Sequence, residues 1–418
     1  MSRHFFMGAA LVVGALSRTV GAQVSTSGSD DAPLTLTAAV SEALAQNPEL
    51  RSLRSQYEAA RAAPAQDRYL VPPTLETQIW SWPVTTLNPA KTDMYMFMAE
   101  QELPGKGKRA ARVLVAERDA DMANRQVDIR ANEILAELKH AYVDLALARE
   151  LRTLYDDQRR LLEDVTEAAA IRYASGEGGQ HHTVASLVEL TRLEKDRIAA
   201  DERAQAAEAR LNAMLGRPVD RAVGPLAPIV PSVSMSAAES LALERHPDLA
   251  AADAAIAREE AELARLRGER RPDFVVGGGY MLMPGDAGAF TARGGITWPN
   301  APWSRGRLNA AIDTQVKRLD AAKAQREAVV VRVRHAVRDV TIRIAAAQRQ
   351  VQLIQSTVLP QVEHAFELAR VSYTGGEGTF MDVLESRRLL LTTQLEFAET
   401  RASISRAFVD LEAAVGIS

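Results

Sequence analysis

The side chains able to do chemistry are few and scattered. Seven histidines stand at positions 4, 140, 181, 182, 246, 335 and 364, and cysteine is absent. That removes disulfides, thiolate metal sites and cysteine nucleophiles together. No His-Glu-x-x-His, Gly-x-Ser-x-Gly or acidic calcium loop occurs, and Gly105-Lys-Gly-Lys108 lacks the spacing of a phosphate-binding loop. A protein without catalysis and without a cofactor is expected. Three groupings remain. Asp382 and Glu385 are three apart, so a helix places both carboxylates on one face, which would attract cations; a solvated face is the simpler account. His181 and His182 are adjacent, and neighbours on a helix point about 100° apart, which disfavours joint chelation. Met94, Met96 and Met98 alternate along a strand-like stretch. Their thioethers suit soft ions such as Cu(I) or Ag(I), with plain packing as the competing account.

The elements that position these groups follow from composition. In 418 residues, 25 % are charged and only 5 % aromatic, with a net charge of −4. Such a mixture suits long exposed helices rather than an enzyme with a thick core. Near-neutral charge without a Lys/Arg block gives no field that would gather nucleic acid. Residues 1–22 carry Arg3, an apolar run over 7–16 and Val20-Gly21-Ala22 as a cleavage site, the pattern of a secretory signal peptide. A disordered leader is expected over 23–33. Beyond it no run of 18 apolar residues occurs, so no transmembrane helix is expected.

The rest is one unit written twice. Residues 36–50 recur at 235–249, and Tyr173-Ala-Ser-Gly-Glu-Gly178 recurs as Tyr373-Thr-Gly-Gly-Glu-Gly378 at nearly the same offset, with Gly216 matched by Gly416. Two such matches around non-helical residues point to duplication. The repeats are 34–223 and 233–418, joined by the Pro-rich linker 224–232. Each holds a first helix, a hairpin (74–103 and 272–298), a very long helix (108–175 and 307–374) and a returning helix (182–215 and 381–415). Glycine and proline are missing from 108–175, and Pro360 is the only breaker in 307–374. At 1.5 Å per residue each is roughly 100 Å long and must pack side by side with others. Ile134, Leu138, Ala141, Leu145 and Ala148 fall at coiled-coil spacing. Gly-rich clusters at 176–179 and 375–378 reverse the chain.

The hairpins alternate. Phe290, Ala292, Gly294, Ile296 and Trp298 interleave with polar or small residues, and Tyr95, Phe97 and Ala99 interleave with Met94, Met96, Met98 and Glu100. Strands of about ten residues cross a bilayer when tilted. Trp80, Trp82 and Trp298 near strand ends suit membrane interfaces. Four strands cannot close a barrel, and open edges are not tolerated in hydrocarbon, so a membrane sheet requires several chains. Three copies give twelve strands.

Duplicated halves, two hairpins, two very long helices and Tyr-x-x-Gly turns resemble the TolC-type outer-membrane efflux proteins over essentially the whole mature chain. Gln101-Glu-Leu-Pro-Gly-Lys-Gly-Lys-Arg109 is similar to the heavy-metal cation branch. The resemblance implies a mainly α fold with a membrane β-barrel: a homotrimer whose twelve-stranded barrel in the outer-membrane lipid continues as a helical tunnel. It implies a passive exit duct for metal cations or drugs, with a periplasmic adaptor and an inner-membrane pump of the resistance–nodulation–division type as partners. It places Asp382 and Glu385 at an acidic constriction, each a ring of three carboxylates in the trimer. Tyr173, Gly176, Gly178, Tyr373, Gly376 and Gly378 fall at the adaptor-facing tip. His181-His182 departs from the pattern, because the second repeat has Met381-Asp382 there. The alternative is a soluble periplasmic coiled-coil scaffold or adaptor, with the strands forming a small sheet.

Overall fold

A computed structural model describes residues 34–81, 84–85, 88, 91–176, 179–227 and 234–416. The expected signal peptide and leader, Trp82, Gly178 and most of the linker lie outside the described residues. The first repeat runs α1 (Leu36–Gln46), α2 (Pro48–Ala62), α3 (Pro64–Asp67), β1 (Thr74–Trp80), β2 (Met94–Leu103), α4 (Lys108–Ala174) and α5 (Gln180–Leu215). The second runs α6 (Ala238–Arg245), α7 (Pro247–Gly268), β3 (Asp273–Leu282), β4 (Ala289–Thr297), α8 (Arg305–Leu353), α9 (Leu359–Thr374) and α10 (Phe380–Val415).

Local chemistry repeats with the topology. Asn47 caps α2 by accepting from the Glu49 and Leu50 amides at 2.9 and 3.2 Å, and His246 caps α7 through Nδ1 from the Asp248 amide at 3.1 Å. A proline follows each cap, where its missing N–H costs nothing. Gly216 and Gly416 close α5 and α10 with φ of +70° and +78°. Each is pressed against the equivalent helix corner, Gly216 against the Gln46 carbonyl and Gly416 against the Arg245 carbonyl. A side chain there would meet both the left-handed backbone and the neighbouring corner.

The expected long helix over 307–374 is a rod with one flaw. The stretch Ile354–Val358 is a π-turn, and the Leu359 amide reaches back to the Ile354 carbonyl. Pro360 supplies no amide and its ring clashes with the carbonyl four residues earlier, so the preceding turn widens.

Among the described residues the buried apolar side chains fall into separate clusters. One apolar cluster packs α1, α4 and α5 through Leu138, Tyr142, Leu145 and Leu211. Another packs α6, α8 and α10 along Val333, Val337, Val340 and Ile344, at heptad-like spacing. A third joins the far ends of α4, α9 and α10 through Leu162, Val165, Phe366 and Val383. Among the described residues no helix is long and apolar enough to cross a membrane.

The strands form one antiparallel sheet in the order β1-β2-β3-β4, so the two repeats meet where β2 pairs with β3, Phe97 opposite Tyr280 and Met96 opposite Met281. Among the described residues no further strand pairs with β1 or β4, which are the sheet's open edges. The sheet's apolar face carries Leu75, Phe97, Phe274, Tyr280, Phe290 and Ile296, all exposed, with Phe290 at 88 %. Trp298 and Trp303 stack edge to face at 6.1 Å below β4. The sheet is welded to the helices at one corner. Lys108, 1 % exposed, places Nζ 2.7 Å from Asp273 and 2.9 Å from Glu269, and Asp273 also accepts from the Gly105 amide at 2.8 Å. The Gln101–Arg109 stretch is therefore the strand-to-helix corner that ties β2 and α4 to the start of β3. A Cβ at Gly105 would strike the Pro272 carbonyl, and Gly107 has φ +85°.

Candidate functional site at the helical tip

The two repeats turn at one end of the molecule, about 100 Å along α4 from the sheet. Gly176 and Gly376 hold φ of +80° and +88° there, each ending a long helix. Their symmetry in sequence does not extend to their surroundings. Tyr373 is 4 % exposed, whereas Tyr173 is 50 % exposed. Tyr373 packs edge-on against Phe380 at 5.6 Å. The Arg172 guanidinium lies 4.8 Å over its ring and donates to its carbonyl, linking the end of α4 to the end of α9. Burial pushes the Tyr373 hydroxyl above its ordinary value, with Arg172 opposing.

The imidazole of His182 stacks on Phe380 at 5.0 Å and sits 4.2 Å from the ring of His181. Burial first, then the neighbouring charges of His181 and Arg172, pulls its pKa below the usual imidazole value. His182 is therefore a packing residue between the repeats, and its Nδ1 has no hydrogen-bond partner. Among the described residues no cluster of three His, Asp or Glu could hold a metal ion.

Asp382 has a local task. Thr379 caps α10 and accepts from the Asp382 amide at 3.2 Å, while the Asp382 carboxylate accepts from the Thr379 amide at 3.1 Å. This capping box holds the carboxyl below its ordinary range, through the Thr379 hydrogen bonds. Glu385 follows one turn later on the same exposed side, beside Arg388. The structure thus brings Asp382 and Glu385 together on an exposed face; Gly178 lies outside the described residues.

Behind this face lies a charged cluster that the sequence did not single out. Glu189 on α5 accepts from Arg388 Nε at 3.1 Å, from Arg192 Nη1 at 3.0 Å, and from Arg387 Nη2 at 3.4 Å. Arg387 is 2 % exposed, and its Nε and Nη1 have no partner. The Arg388 hydrogen bond chiefly holds Glu189 below the usual carboxylate range. Nothing in an arginine-rich helix distinguishes Arg387 from its exposed neighbours, apart from its place on the apolar stripe with Val383, Leu384 and Leu390.

The fold is a duplicated helical rod that carries a four-stranded sheet with an exposed apolar face, the make-up of an outer-membrane β-strand segment joined to a long helical body. The chain belongs to the outer membrane efflux protein family, whose model matches residues 39–217 and 239–417, one match per repeat. It is 25 % identical over 388 residues to the cobalt-zinc-cadmium resistance protein CzcC of Cupriavidus metallidurans, covering 92 % of this chain and 90 % of that one. Its fold is that of the CusC channel (TM-score 0.76, 18 % identity, 92 % of each chain). It also matches the outer membrane protein VceC of Vibrio cholerae (TM-score 0.75, 19 % identity, 91 % of this chain and 96 % of that one).

Proposed function

We propose that three copies of this chain form the exit duct of a tripartite efflux system. The β-sheets close a twelve-stranded barrel in the outer membrane, and the helices continue it as a tunnel through the periplasm. One observation carries the reading: the sheet has two unpaired edges, β1 and β4, and an exposed apolar face. In hydrocarbon an unpaired backbone group costs several kcal/mol, so β1 of one subunit must pair with β4 of the next. The lipid-facing side is then the one with Leu75, Phe97 and Phe290, and the lumen takes the methionine and charged side.

In this duct Asp382 and Glu385 form acidic rings at the periplasmic constriction, favouring cations. The turns bearing Tyr173, Gly176 and Gly178, and Tyr373, Gly376 and Gly378, contact a periplasmic adaptor. An inner-membrane pump of the resistance–nodulation–division type supplies the energy, and the duct performs no chemistry of its own. The cargo class we infer is metal cations, on the strength of the relative named for cobalt, zinc and cadmium resistance. The test is fractionation and detergent extraction of the full chain. A trimer in outer-membrane fractions that conducts ions in planar bilayers is expected. Recovery as a soluble periplasmic monomer would overturn the reading.

A further inference from the structure

Methionine is distributed unevenly. Of 11 in the sequence, five are Met94, Met96, Met98, Met281 and Met283, within or just beyond the paired strands β2 and β3. The long helices α4, α5 and α10, which make up much of the chain, hold only Met122, Met214 and Met381. General packing demand would not concentrate a flexible, polarisable side chain in this way.

The register gathers them. Met96 lies directly opposite Met281, and Met98 opposite Gly279. Directly opposed residues share a face with Cβ atoms about 4.5–5.5 Å apart, and the next residue on that face lies about 7 Å away. Met94, Met96, Met98 and Met281 therefore share the side opposite Phe97 and Tyr280, and all four are half-buried while Phe97 and Tyr280 are exposed. The methionine side is thus the more covered face of the sheet at these positions. Glycines on β3 make room: a Cβ on Gly279 would lie 2.9 Å from Met98 Cγ, so the Met98 side chain lies over the gap that Gly279 leaves. Three rotatable bonds per side chain let neighbouring sulfurs converge from these separations. The same face carries Glu76 opposite Met98, which accepts from Gln78 at 2.9 Å, and Glu100, paired with Arg293 at 3.2 Å. A carboxylate beside neutral thioethers draws cations to them without supplying a hard ligand set.

We propose that Met94, Met96, Met98 and Met281 form a thioether site for a soft monovalent metal ion, Cu(I) or Ag(I), on the inner face of the sheet. Neutral sulfur ligands select soft ions over Zn(II), which prefers imidazole, thiolate or carboxylate. A ladder of neutral donors binds weakly enough at each rung to release its ion, as a conducting path requires. This rests on the reading of the sheet as part of a closed barrel whose methionine side is the lumen.

The test uses the purified full-length channel in detergent with silver nitrate in chloride-free buffer. Silver held by the protein is measured at equilibrium by dialysis, and planar-bilayer conductance is measured on the same samples. The wild type is expected to retain about one Ag(I) per subunit and no comparable Zn(II). M96L/M281L, which keeps volume and removes sulfur, is expected to lose the silver while remaining a conducting trimer. Should the double variant fail to assemble, M96L alone is expected to weaken silver binding at least about tenfold. A conducting wild-type trimer that retains no silver overturns the site and leaves the duct standing. Undiminished silver in the leucine variants, or equal retention of Zn(II), assigns binding to the carboxylates and overturns it as well.

Discussion

Glu189 of the first repeat and Arg387 of the second meet at 3.4 Å inside the helical tip, where Arg387 is 2 % exposed. Removing one member of such a pair strands a buried charge, at a cost of about 3–5 kcal/mol, whereas removing both exchanges the pair for apolar contact. E189A should therefore lower the thermal unfolding midpoint of the purified channel, and E189L/R387L should recover much of the loss. Equal destabilisation by single and double variants would show that the pair contributes only packing.

The same carboxylate sets a pH dependence. Its folded pKa is depressed, chiefly by Arg388, so the unfolded state binds more protons through the acid range. Stability from Glu189 is then complete above the ordinary carboxylate pKa, about 4.3, and is lost as pH falls through the lower folded value. The midpoint should drop with acidification below about pH 4.3. In E189Q the curve should be flatter in that window, against a lower plateau at neutral pH.

Much of this architecture is legible in sequence, because glycine and proline are its punctuation. The turns at Gly176 and Gly376, and the ends at Gly216 and Gly416, sit at positive φ where few other residues settle. The alternation of Phe290, Ala292 and Ile296 likewise gives the faces of β4 directly. The tip's internal order was not legible. Tyr173 and Tyr373 are equivalent in the repeat pattern, yet only Tyr373 is buried, because Arg172 and Phe380 close over it. Repeat equivalence fixes the backbone, and the partner across the tip decides burial. Asp382 is visible as an acidic residue, and the spacing Thr379-x-x-Asp382 is itself a capping-box signal, although only its charge was read from the sequence.

That double duty shapes the test of the acidic rings. Asp382 is exposed and also accepts from the Thr379 amide, so truncating it to alanine would confound charge with capping. D382N keeps an acceptor oxygen, and E385Q removes only charge. The pair should reduce cation preference, read as a shift of reversal potential toward zero in a salt gradient. Unchanged selectivity would leave Asp382 as a helix cap and Glu385 as a solvated side chain.

His182 should make the tip acid-sensitive. Its folded pKa lies below the ordinary value of about 6.5, through burial and then the charges of His181 and Arg172. Unfolded tips therefore bind the proton more readily. The contribution of His182 is intact above pH of about 6.5 and is lost as pH falls through the folded value. Amide exchange over residues 372–383 should accelerate relative to its intrinsic rate between neutral and mildly acidic pH. H182F keeps the stack on Phe380 without a titrating group, and its exchange should lack that acceleration. Persistence in H182F would show that His182 does not set the acid sensitivity.

The shared barrel can be trapped covalently, since the sequence contains no cysteine to interfere. Within one chain β1 and β4 are opposite edges of the sheet, separated by β2 and β3, about 14 Å at the usual strand spacing. A disulfide needs Cα atoms within about 7 Å, so a cysteine on β1 and another on β4 cannot join inside a subunit. Gln78 and Thr291 lie on the methionine side of the sheet, as do Ala289 and Arg293. Q78C combined in turn with A289C, T291C and R293C should give, at one register, a trimer on non-reducing denaturing gels that collapses to monomer with reductant. Single-cysteine variants should stay monomeric on the same gels. If no register cross-links in outer-membrane preparations, β1 and β4 are not neighbours in the assembly, and closure by three copies fails.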